Sequence, residues 1–380
     1  MTRRIALHQL SNIASNAVSI AHDDERQRIA VCTSDGRVVF YRLDTAGEWV
    51  EDTASADFFN TILASHRQKD YKLDVTAAFF FEYVFLSIGC MFGLSNGDNV
   101  AIVLVDIKQQ VHRLVAHGSR LSTNAKPIGT RLGLIYCPLS DGIAALRHPQ
   151  YELAWLDLPD GGDPWTLISP RGLSYLPQTN QLVVLDSVES EPDRIRVYTL
   201  DSQGKSIGRS DYNLCEWGVN CRGLVANPHS GEVAYVLSED DWIVSGVVAT
   251  GMVLPFATFC VHPVGGEPRR IPLLGVAGIN VGFRPTLDYQ FTKGAPPSYV
   301  IYQAEEEFYT SILIPLDEHR YWLSVPGGTL CEIDTRSGSQ ATIHQFPSAI
   351  TAMCHLVNLS SVCVGLKTGD LFLVRYTADV

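Results

Sequence analysis

No stretch of this chain reaches the roughly 18 apolar residues that a membrane-spanning helix needs. The nearest run, residues 246–261, is broken by Pro255 and flanked by strand-like sequence, so it reads as buried core. The N-terminus has Arg3 and Arg4, but Gln9, Ser11 and Asn12 interrupt any apolar segment that a secretory signal would require. No Cys-x-x-Cys pair occurs, which removes the common structural zinc signatures. The phosphate loop Gly-x-x-x-x-Gly-Lys-Ser/Thr is absent too, and no Gly-x-Gly-x-x-Gly joins a strand to a helix. An excess of positive charge is also missing. The formal net charge is −12, which repels phosphate and disfavours direct nucleic-acid binding. Helical periodicity is nearly absent.

What is present is a packed globular composition. Of the 380 residues, 46% are apolar and only 18% charged, which excludes extensive disorder. The nine cysteines are odd in number and sit mostly inside apolar runs, such as Ile29-Ala-Val-Cys32 and Val362-Cys-Val364. Free cysteine behaves as a small buried hydrophobe, so a reducing compartment, cytoplasmic or nuclear, is expected in place of a disulfide framework.

Apolar runs of four to eight residues, rich in Val, Ile, Leu, Tyr and Phe, recur between Gly, Pro, Asp, Asn and Ser. That is the signature of strands and turns. The pattern repeats. Ala17-Val-Ser-Ile-Ala-His22 is followed by a polar turn, then Ile29-Ala-Val-Cys-Thr-Ser-Asp-Gly36, then Val38-Val-Phe-Tyr-Arg-Leu43. Near the other end Ala349-Ile-Thr-Ala-Met-Cys-His355 precedes Ser361-Val-Cys-Val-Gly-Leu-Lys-Thr-Gly369 and Leu371-Phe-Leu-Val-Arg-Tyr376. Each unit is strand, turn, strand, tight glycine turn, strand. An apolar residue followed by Asp closes the third strand in Leu43-Asp44, Val105-Asp106, Leu156-Asp157, Leu200-Asp201 and Ile333-Asp334. This arrangement resembles WD-repeat β-propellers, in which Trp-Asp ends the third strand of a blade. Here no copy keeps the Trp, and the Gly-His pair that opens such repeats is missing.

The resemblance implies an all-β, seven-bladed propeller occupying 1–380 as one domain. Its blades fall near 17–60, 73–120, 128–168, 171–213, 219–275, 278–346 and 349–380. The strand at 4–10 is expected to complete the last blade and close the ring, since closure removes open sheet edges. Six strand-like runs fall in 278–346 where four suffice, which leaves an inserted hairpin or an eighth blade open. The stretch 289–298 reads as a long loop.

The candidate chemistry is thin. Glu305-Glu-Glu307 and Ser238-Glu-Asp-Asp241 lack the alternating spacing of a calcium loop and read as solvated turns. His22 and His355 occupy matching places at the ends of the first strands of the first and last units, where ring hydrogen bonds beside neighbouring strands explain them. Cys215 and Cys221 are six residues apart, which is no known redox motif. Trp155, Trp165, Trp217, Trp242 and Trp322 lie near strand ends or turns. Aromatic side chains are common interface anchors, so Trp217 and Trp242, with Arg222 and Arg284, are the expected partner-binding residues. No cofactor and no metal are expected. The function that follows is a non-catalytic protein–protein scaffold within a larger complex, without membrane insertion. The alternative is a propeller hydrolase of the lactonase type, with acidic or histidine residues from several blades meeting at the pore around a divalent cation.

Overall fold

Short alternating strands joined by tight turns can bury an apolar face only by pairing with their chain neighbours, and they do so here as successive antiparallel sheets. The computed structural model describes residues 5–66, 72–80, 83–92, 95–118, 128–129, 134–139, 142–147, 150, 152–156, 170–186, 194–213, 219–239, 245–246, 257–273, 284–285, 299–300, 302–303 and 312–376. The fold is a β-propeller. Blade one comprises Ala17–Asp23, Arg28–Thr33, Val38–Leu43 and Trp49–Glu51. Blade two comprises Lys72–Phe80, Tyr83–Phe92, Ser95–Asp106 and Val111–Gly118. Blade three comprises Ile128–Gly129, Leu134–Leu139, Gly142–Arg147 and Glu152–Trp155. Blade four comprises Pro170–Leu176, Gln181–Asp186, Arg194–Leu200 and Ser206–Asn213. Blade five comprises Val219–Ala226, Glu232–Glu239, Ala257–Pro263 and Arg269–Pro272. Blade six comprises Leu313–Pro315, Arg320–Val325, Thr329–Asp334 and Ser339–Gln345.

The expectation of seven or eight blades is corrected. Six blades are built from continuous chain, and a seventh four-stranded sheet is a composite of both ends. In this closing sheet Ile350–Leu356, Ser361–Leu366 and Asp370–Tyr376 are joined by Ile5–Asn12, whose register runs from Ile5 opposite Tyr376 to Asn12 opposite Asp370. No eighth four-stranded sheet occurs among the described residues. The expected blade at 278–346 begins only at Leu313. Before it, Ser245–Gly246 pairs with Tyr299–Val300, and Arg284–Pro285 pairs with Tyr302–Gln303. The loop expected at 289–298 lies outside the described residues.

One helix stands outside the strand pattern of this all-β fold. Helix α1 (Thr53–His66) follows blade one, whose outer strand ends at Glu51 and not near 60. Asp52 starts the helix, its carboxylate accepting from the Ser55 N–H at 3.1 Å and from the Ser55 hydroxyl at 2.8 Å. Phe59, Ile62 and Leu63 fall on one helical face and are buried, with Phe59 stacked on Phe40 at 5.6 Å. The Asn60 amide then pairs with both backbone polar groups of Val38, at 2.9 and 3.1 Å, as an extra strand residue would.

The Asp marker has a structural role. Asp44 Oδ1 accepts the N–H groups of Ala46 and Glu48, and Asp201 Oδ1 those of Gln203 and Lys205. Asp106 bonds the Gln109 N–H, and Asp334 those of Arg336 and Ser337. Each carboxylate satisfies turn donors that the ladder leaves over. Asp157 lies outside the described residues.

Ring closure demands close approach. Ala17 of blade one lies against Gly365 of the closing sheet, so closely that a Cβ on Gly365 would stand 2.6 Å from the Ala17 Cβ. Gly365→Ala therefore costs about 1–3 kcal/mol by overpacking this junction. Gly208→Ala, whose new Cβ meets only the Thr199 Cβ at 3.9 Å, stays within about 0.5 kcal/mol of the parent. Urea unfolding midpoints compare the two, and equal midpoints would show that the junction does not constrain stability.

Candidate functional site

In every four-stranded antiparallel sheet the first and third turns emerge at the same end. Because the first strands of neighbouring blades pack side by side, these turns form one face of the ring. Three first turns on that face share a device the sequence reading missed. Asp23 accepts the N–H groups of Glu25 and Arg26, Asn227 those of His229 and Ser230, and Asp317 those of His319 and Arg320. The signal was present as Asn227-Pro-His229 and Asp317-Glu-His319, two turns with Asn or Asp followed two residues later by His.

A cleft of about 800 Å³ opens between the last two of these turns. One wall is Pro228 and His229 of blade five. The other is Asp317, Glu318, His319 and Arg320, continued by Asp334 and Arg336, of blade six. The walls are tied beneath by Asn227, which is fully buried. Its amide donates to the Asp317 carbonyl and to the Tyr321 hydroxyl, both at 2.8 Å. Burial pushes the Tyr321 hydroxyl up to about 12, although the Asn227 bond pulls the other way. The Arg269 guanidinium of blade five donates to the Thr335 carbonyl of blade six.

The cleft charges are largely matched internally. Arg320 is bonded to the Asp317 carboxylate, and Glu318 lies 3.8 Å from the His319 ring. Burial would raise the Asp334 carboxyl, but the Arg336 and Ser337 N–H groups, the Ser337 hydroxyl and the Arg336 charge outweigh it and hold it below its ordinary value. Such a surface offers fixed donors and acceptors at the end of a rigid scaffold, which suits recognition of a polar chain segment. Among the described residues no three His, Cys, Asp or Glu side chains are grouped as a metal ion would need.

Trp217 and Trp242 lie outside the described residues, as do Glu305–Glu307, Asp241, Cys215 and Trp165. Arg222 sits in the first strand of blade five opposite Val236, and Arg284 in the short strand opposite Gln303. Trp322 is fully buried in blade six, its indole N–H donating to Glu332 at 3.1 Å. Cys221 is buried.

No protein-family model matches the chain, and no curated protein matches it. Among solved structures it is similar to YCF48 bound to D1 peptide, at 12% identity over 99% of this chain and 97% of that one, with a TM-score of 0.55. It is also similar to the WD40 β-propeller domain of Doa1, at 10% identity over 98% and 97%, with a TM-score of 0.56. At these identities the likeness is one of fold: a β-propeller.

Asn227→Ala removes two donated bonds and the turn cap while leaving the Tyr321 hydroxyl buried. It is expected to cost about 2 kcal/mol in urea unfolding and to raise amide exchange in the 227–231 turn. An unchanged midpoint and unchanged exchange would show that the tie does not hold the cleft together.

Proposed function

We propose that the protein is a non-catalytic interaction platform that docks a polypeptide segment on its turn face and serves as a subunit of a larger assembly. The observation that carries this reading is the cleft between blades five and six, whose polar groups are fixed by capped turns on a closed ring. A preorganised surface spends little ordering entropy on binding. The peptide held by the structurally similar YCF48 supports the same class of partner. The net charge of −12 argues against nucleic acid. Among the described residues no helix is long and apolar enough to cross a membrane, and the buried cysteines suit a reducing compartment such as the cytoplasm or nucleus. Trp217 and Trp242, with Arg222 and Arg284, are a second place for the partner to sit.

Affinity purification of the tagged full chain from its native cell, with bound proteins identified by mass spectrometry, tests the reading. A stoichiometric partner is expected. Combined charge reversal in the cleft, Glu318→Lys with Arg336→Glu, is expected to reduce its recovery at least tenfold. Ile207→Ser, at an exposed position on the outer strand of blade four, leaves recovery unchanged. Loss in Trp217→Ala or Trp242→Ala but not in the cleft variant moves the docking site to those residues. A clean monomer without partner overturns the platform reading.

A further inference from the structure

We infer that the junction between blade one and the closing sheet is an acid-sensitive latch, built from His22, Asp24, His355 and Tyr376 on the turn face, that loosens the ring there before any other junction gives way. His22 is one residue from the end of blade one's first strand. Its side chain is only 1% exposed, and its Nδ1 lies 3.2 Å from Asp24 Oδ1. The ring meets Trp49 edge-on, with centroids 6.1 Å apart. Asp24 reaches across the junction: the Asn358 N–H of the closing sheet donates to its carboxylate at 3.4 Å, and the Asn358 amide to its backbone carbonyl at 3.3 Å. His355, on the closing sheet's first strand, meets the Tyr376 hydroxyl through Nε2 at 2.6 Å. Tyr376 in turn packs edge-on against Trp322 of blade six.

Two histidines and one half-buried carboxylate thus share the seam. The groups facing His355 are Asp24 and His22 of blade one, His229 of blade five, the Pro315 carbonyl of blade six and Tyr376 of its own sheet. Burial, the largest influence, holds the His355 ionisation down at about 4. Asp24 and the Pro315 carbonyl pull it up, and His229 and His22 push it lower. A depressed folded value means that the opened junction takes up the proton more readily than the closed one. The junction therefore keeps its full stability above about pH 6.5 and loses it as the pH falls toward 4. Between pH 7.5 and pH 5 its closed-to-open ratio falls roughly twentyfold if opening restores an ordinary histidine.

Hydrogen exchange of the full chain, read by mass spectrometry at pH 7.5 and pH 5.0 and corrected for intrinsic exchange, tests this. Peptides covering 17–23, 350–356 and 361–366 are expected to open at least tenfold more at the lower pH, while 181–186 and 194–200 of blade four change less than threefold. His355→Gln keeps a hydrogen-bonding group but cannot titrate, and is expected to flatten the response. His344 is a second histidine lowered by burial, on the outer strand of blade six; His344→Gln is expected to respond as the parent does. Equal responses in seam and blade four, or a full response in His355→Gln, overturn the latch. Should that variant not fold, imidazole titration of the parent by NMR decides: a His355 midpoint near 4 supports the proposal, and one above 6 overturns it.

Discussion

Every blade of this protein has two apolar faces, and a single blade can bury neither. Each face is dry only because the next sheet covers it. Phe40 and Val38 of blade one meet Val75 and Leu86 of blade two. Tyr136 and Ile143 of blade three meet Leu182 and Tyr198 of blade four, and Val183 and Val197 of blade four meet Tyr235 and Cys260 of blade five. Phe259 and Val261 of blade five meet Tyr321 and Cys331 of blade six, whose other face puts Trp322 against Val362 and Val364. Ala17, Ile29 and Tyr41 of blade one then meet Cys363 and Leu371, returning the circuit to its start. At about 1.5–3 kcal/mol for each large apolar side chain fully buried, losing one junction would expose enough surface to cancel the net stability of a typical domain.

Polar groups at the turn face serve the same constraint. Between blades, side chains donate to backbone carbonyls of the following blade: Arg113 to Gln150, Arg147 to Gln203, Gln178 to Pro228 and Arg269 to Thr335. A carbonyl at a turn has no ladder partner, so a donor from the adjacent blade satisfies it and fixes the spacing of the two turns. The cleft between blades five and six is a consequence of this spacing. Its shape is set by the junction and not by the flexible ends of its side chains, which is what a recognition surface on a propeller requires.

The strand repeats and glycine turns were legible because a period of two and a positive φ leave direct marks in the sequence. The marker Asp was legible as a repeat, but its work as a turn cap was not separable from a family signature until Asp44, Asp201 and Asp334 were seen accepting turn N–H groups. Helix α1 was missed although Asp52, Phe59, Ile62 and Leu63 carry a capping residue and an i, i+3, i+4 stripe. Phe58 and Phe59 fall inside the first blade as the repeat places it, near 17–60, and only packing on Phe40 decides between strand and helix. The cleft was invisible for a different reason. His229 and Asp317 are far apart in the chain, and nothing local announces that Asn227 bonds the carbonyl of Asp317. Sequence periodicity reports which face of an element is buried, but not which side chains from different blades converge.

The closing sheet differs from the six blades in one physical respect: its outer pairing joins Ile5 to Tyr376. Bringing the two ends of so long a chain together carries the largest loop-closure entropy of any pairing in the ring. Local pairings exist before it, and it is the natural place for the ring to open. Its turn-face end is also where His22, Asp24 and His355 meet, while at the far end Gln9 and Asn12 both donate to Asp370, at 3.2 and 2.7 Å. Apolar contact alone would close the seam without regard to solution conditions. Placing titratable groups at the pairing with the greatest entropic cost lets the closure of this junction follow the proton concentration, and it does so on the same face that presents the cleft.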